Sequence, residues 1–131
     1  MSFSELFQSA DWKSEKHSPF IELVQAPTAD KPALVTVSVG KEIPHPNTSE
    51  HHIAWIDLYF KPEGDKFPYQ LGRYEFTAHG ASAAGPNTST VSSEPIATIR
   101  FKTQKNGTLY ATSYCNIHGL WRSELAVALG G

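Results

Sequence analysis

Three short segments of this chain collect the residue types that bind metals. Three of its six histidines fall within His45-Pro46-Asn47-Thr48-Ser49-Glu50-His51-His52, where Pro, Asn and Ser mark a turn-rich loop running into a strand. Imidazoles clustered at such a junction signal a metal site. Alternation along the strand sends His51 and His52 to opposite faces, so the two do not readily share one ion. The second segment is Cys115-Asn116-Ile117-His118-Gly119. Its C-x-x-H spacing lets one turn present a thiolate and an imidazole together, and Gly119 allows the tight backbone this requires. The third is Glu15-Lys16-His17-Ser18-Pro19, a charged loop ahead of the first strand. Each segment alone has a plain reading as a solvated loop, a buried inert cysteine or ordinary surface. Together they offer up to four neutral nitrogens and one soft thiolate. Structural zinc closes at four ligands, so this mixed set of five points to a redox metal with room for substrate, iron or copper. A copper carrier on a β-sandwich usually adds an axial Met, and the only methionine is Met1. That favours iron, while an axial Gln or carbonyl keeps copper open.

The elements that must position these residues read as strands. Val35, Val37 and Val39 alternate with Thr36 and Ser38, and Ala54, Ile56, Leu58 and Phe60 with Trp55, Asp57 and Tyr59. The same period of 2 recurs in Ile21-Leu23, Tyr74-Phe76-Ala78, Ala97-Ile99-Phe101, Leu109-Ala111-Ser113 and Ser123-Leu125-Val127. Ser2-Phe3-Ser4-Glu5 has the form of a capping box, with Phe3, Leu6 and Phe7 on one face of a short N-terminal helical turn. Asn106-Gly107 predicts a tight hairpin joining 96–104 to 108–115. The expected fold is all-β: an immunoglobulin-like antiparallel β-sandwich of about seven strands in a single domain, residues 1–131.

Composition narrows the function. With 131 residues, 40% apolar and 18% charged, the chain can bury one core. A net charge of -2 lacks the basic excess of a duplex-binding protein, so nucleic acid is not an expected partner. The lone cysteine excludes an intramolecular disulfide. Residues 1–12 have neither a basic n-region nor an apolar h-region, and the apolar run 53–60 is too short to span a bilayer, so the expected location is cytoplasmic and no membrane partner is expected. Asn47, Asn87 and Asn106 open N-x-S/T triplets that read as turns rather than glycosylation sites.

Five motifs in order resemble the superoxide reductases of the one-iron, neelaredoxin class in the desulfoferrodoxin family. They are Glu15-Lys16-His17; Lys41-Glu42-Ile43-Pro44-His45-Pro46-Asn47-Thr48 with Glu50-His51-His52-Ile53; Phe76-Thr77-Ala78-His79-Gly80; Gly85-Pro86-Asn87-Thr88; and Cys115-Asn116-Ile117-His118-Gly119-Leu120-Trp121. The resemblance implies one mononuclear, non-haem iron per chain, bound by His17, His45, His51 and His118 in the equatorial plane with Cys115 axial. It leaves His52 and His79 outside that set. It implies reduction of superoxide to hydrogen peroxide, with rubredoxin or a similar small carrier as electron donor and a homotetrameric assembly. Glu15 then takes the sixth position of the ferric ion, and Lys16 steers superoxide and orders water. Backbone N–H groups just after Cys115 are expected to hydrogen-bond its sulfur. A cupredoxin-like electron carrier and a metal-free immunoglobulin-like binding module are the readings from other classes.

Overall fold

The computed structural model describes residues 1–130. A 3-10 turn, Phe3–Leu6, precedes eight strands: β1 Phe7–Gln8, β2 Pro19–Gln25, β3 Ala33–Val39, β4 Ile53–Pro62, β5 Tyr69–Glu75, β6 Ile96–Phe101, β7 Gly107–Cys115 and β8 Gly119–Val127. One sheet has the order β1-β8-β7-β4-β5 and the other β2-β3-β6. All pairings are antiparallel except that of the two-residue β1 with β8. The fold is the expected immunoglobulin-like sandwich, with the short β1 added to the seven strands that alternation predicts. Among the described residues, no helix is long and apolar enough to cross a membrane.

Alternation explains the core. The inward positions Ala33, Val35, Val37 and Val39 of β3 meet Leu109 and Ala111 of β7 and Ile56, Leu58 and Phe60 of β4, all buried. Full burial of each Val, Leu or Ile contributes roughly 1.5–3 kcal/mol over leaving it exposed. The β7 series continues inward through Ser113 to Cys115, both 0% exposed. The cysteine is thus the last inward residue of a central strand. In β4 the register shifts between Ile53 and Trp55 opposite β7, and this bulge keeps both Ile53 and Ile56 inside although they are three residues apart.

Three local expectations change. Asn106-Gly107 does not make a hairpin: β6 pairs with β3, β7 pairs with β4 and β8, and the dipeptide carries the chain from one sheet to the other. Neither residue has positive φ. Gly107 is needed for space, since a Cβ there would lie 2.4 Å from the Lys61 carbonyl oxygen and 2.5 Å from the Phe60 ring. The true tight hairpin is β7–β8, where Cys115 pairs with Gly119 and Gly119 has φ +84°. The strand expected at Tyr74-Phe76-Ala78 lies earlier, at Tyr69–Glu75. At the N-terminus, Ser2 Oγ donates to the Glu5 carboxylate at 2.9 Å instead of capping a backbone N–H.

Candidate metal centre

The register brings the chemistry-bearing segments to one end of the sandwich. Pro19 at the start of β2 pairs with Val39 at the end of β3, while Ile53 and Gly119, which begin β4 and β8, both pair with Cys115. His17 precedes β2, His45 and His51 lie on the β3–β4 connection, and His118 lies in the β7–β8 turn. Residues about a hundred positions apart therefore converge.

One donor atom from each of His17, His45, His51 and Cys115 lies within 4.8 Å of the others. His118 joins them through Nδ1, 3.1 Å from His17 Nε2, 3.3 Å from His51 Nε2 and 3.9 Å from Cys115 Sγ. His45 Nε2 is 3.4 Å from the same sulfur. Two imidazole nitrogens each about 2.0–2.1 Å from a shared first-row metal, at right angles, stand about 3 Å apart. The nitrogen spacings match that, so the donor set fits one ion. A cupredoxin-like centre uses two imidazoles, one thiolate and a weak axial group, fewer nitrogens than are gathered here.

The outer ring nitrogens of His45 and His17 are engaged so that their inner ones can keep their lone pairs. His45 Nδ1 donates to the Pro46 carbonyl at 2.6 Å, and His17 Nδ1 sits 2.5 Å from Glu15 Oε1. Such bonds select the tautomer and aim the ring. Burial, with positive charge from His17, His51 and Lys16, lowers the pKa of His45 to about 4 against the raising effect of the Pro46 carbonyl. Burial also lowers that of His51, helped by His118, His17 and Lys16. Both shifts favour the neutral imidazole that binds metal. The His118 backbone N–H lies 3.4 Å from Cys115 Sγ, the hydrogen bond expected from the sequence.

His17 and Cys115 are buried, His45 and His51 half-buried, and His118 exposed beside Ile117, so the cluster opens to solvent on the β7–β8 turn. Lys16 is half-buried and forms no ion pair among the described residues. Glu15 lies on the ring nitrogen of His17 that faces away from the cluster. His52 and His79 stay out, as expected. Their rings stack on each other at 3.6 Å and 5°, with His52 Nδ1 on the Thr48 carbonyl at 2.9 Å and His79 Nε2 on that of Phe76 at 2.5 Å.

Several supporting residues had no role assigned from sequence. Trp121 stacks on His17 at 5.0 Å and 14° and donates Nε1–H to the His118 carbonyl at 3.2 Å. Asn116 accepts the His52 N–H at 2.9 Å and donates to the Glu50 carbonyl at 2.9 Å, tying the thiolate turn to the histidine loop. Asn87, at φ 58°, accepts the Ser49 N–H at 2.9 Å and donates to both Glu50 carboxylate oxygens at 2.8 and 3.0 Å. That donation lowers the pKa of Glu50. The turn composition around each asparagine was the available signal.

The desulfoferrodoxin family model matches residues 9–124. A putative superoxide reductase of Archaeoglobus fulgidus is 62% identical over 95% of this chain and 98% of its own length. The superoxide reductase of Pyrococcus furiosus is 60% identical over 95% and 98%. The solved reduced neelaredoxin of Archaeoglobus fulgidus superposes with a TM-score of 0.90, at 62% identity, covering 95% of this chain and 99% of that one. A fold shared over nearly the full length, with side chains that could hold a metal gathered at one end, places this chain in the desulfoferrodoxin family, among its one-iron superoxide reductases of the neelaredoxin class.

Proposed function

We infer that this chain reduces superoxide to hydrogen peroxide, O₂⁻ + e⁻ + 2H⁺ → H₂O₂, at iron held by His17, His45, His51, His118 and Cys115. The observation that carries this is the meeting of four imidazole nitrogens and one sulfur at a solvent-reaching end of the sandwich. When bound, one mononuclear iron per chain supplies the electron, and an external donor of the rubredoxin type restores it.

The residues account for the rest. Four neutral imidazoles and a thiolate leave a ferrous ion with a net charge of about +1, which attracts an anion to a protein of net charge -2. Lys16, which adds to the positive potential felt by His45 and His51, steers superoxide and orders the water that delivers protons. Cys115 would supply electron density to bound iron, and the His118 N–H on its sulfur would moderate that donation. With iron bound, Glu15 would supply a hard carboxylate suited to the ferric state, and doing so would require it to release His17 Nδ1. We place the protein in the cytoplasm as a homotetramer.

Metal analysis with peroxide yield per superoxide tests the reading. One peroxide per superoxide consumed, without dioxygen release, is the expected result with iron bound and reductant present. A yield of one half with dioxygen release identifies a dismutase instead, and a colourless protein that takes up no iron removes the metal centre.

A further inference from the structure

The Glu15 carboxylate makes an unusually complete set of contacts with one residue. Its Oε1 and Oε2 lie 2.5 and 3.2 Å from His17 Nδ1 and accept the His17 backbone N–H at 3.2 and 3.4 Å. His17 is the most deeply buried histidine of the cluster, 6% exposed, and Trp121 stacks on its ring. Its other nitrogen, Nε2, is the one that enters the donor set. One carboxylate thus holds both the backbone and the ring of the same side chain, setting where the ring points and which nitrogen keeps the lone pair.

His45 shows what is particular about this. Its Nδ1 donates to a neutral backbone carbonyl, whereas His17 Nδ1 faces an anionic acceptor. A charge-assisted bond is roughly twice as strong as a neutral one, and a carboxylate behind an imidazole raises the basicity of the opposite nitrogen. The two imidazoles are therefore unequal donors.

Resting on the reading of His17 as a metal ligand, we propose that Glu15 is a positioning residue that acts through His17, holding it in the Nδ1–H tautomer and making its Nε2 the stronger donor. The carboxylate cannot hold His17 and bind the metal at the same time. Its two roles alternate, and His17 donation weakens whenever Glu15 leaves it.

The zinc-substituted full-length chain tests this without turnover. Zinc is redox-inert and diamagnetic, so affinity and imidazole proton resonances are both measurable. The wild type should show a His17 Nδ1–H resonance far downfield and slow to exchange with solvent. Glu15→Gln should keep it, since an amide oxygen still accepts the bond, and Glu15→Ala should lose it. Zinc affinity should fall about 10–100-fold in Glu15→Ala, with only part of the loss recovered in Glu15→Gln, whose neutral acceptor keeps the tautomer without the charge assistance. A carboxylate acting only as a metal ligand predicts that Gln and Ala behave alike, and that outcome overturns the proposal while leaving the reductase reading intact. So does a wild-type chain lacking the downfield resonance. A wild-type chain that binds neither zinc nor iron overturns both.

Discussion

His51 and His52 are neighbours in sequence, yet they serve different regions of the molecule. His51 places Nε2 3.3 Å from His118 Nδ1 within a group of side chains that could hold a metal, while His52 lies flat against His79 with Nδ1 on a backbone carbonyl. In the first region the inner nitrogens face one another and the sulfur, an arrangement that a shared cation could satisfy. In the second, stacking and hydrogen bonds to carbonyls complete the environment without any ion. The His52–His79 stack and the Asn87 contacts with Ser49 and Glu50 clasp the loop that carries His45 and His51 to the segment around residues 76–89. The same residue type thus makes a reactive centre and the buttress beside it. What separates them is whether the lone pair of each ring is left unspent.

Substitutions should separate the two regions in graded fashion. The largest effect belongs to Cys115→Ser, which should abolish the visible sulfur-to-ferric charge-transfer band; persistence of the band would remove Cys115 from the metal. Next, His51→Ala should lower iron affinity by more than about 100-fold, beyond the loss typical of an outer partner, while His52→Ala changes it by less than about 10-fold. Equal losses, measured by chelator competition, would erase the distinction between the two histidines. Lys16→Ala should slow superoxide capture up to about 10-fold at low ionic strength and flatten its salt dependence, read by pulse radiolysis. An unchanged second-order rate would exclude steering by Lys16. The smallest effect belongs to the buttress: His79→Ala should cost about 1–2 kcal/mol in denaturant unfolding of the iron-loaded protein, from lost stacking on His52 and the lost ring contacts with the Asn47 side chain and the Phe76 carbonyl, with the charge-transfer band retained.

Much of the site was legible because its signals are local. Alternation through Leu109, Ala111 and Ser113 points Cys115 inward, and Gly119 supplies the left-handed residue that closes the C-x-x-H turn. The same logic separated His51 from His52, although both precede the first residue of β4, and the loop rather than strand pleating parts them. Local logic failed at Asn106-Gly107. A two-residue turn and a crossing between sheets use the same residues, and the choice rests on which strands β6 and β7 find elsewhere in the chain. It also failed to show that β4 bulges, because a bulge depends on the partner strand's register.

The sequence by itself supplied the means for the chemistry: up to four imidazoles and one soft thiolate, their placement at strand ends, and a sandwich to carry them. These follow from residue type, the two-residue period of strands and the conformational freedom of glycine, all properties of a few consecutive residues. Only the tertiary structure decided that His17 and His118 come within 3.1 Å, that His118 turns Nδ1 to the cluster where His17, His45 and His51 turn Nε2, and that Glu15 lies behind His17. Those outcomes depend on sheet register and ring orientation, which are set by packing between segments distant in sequence and have no counterpart in any local pattern.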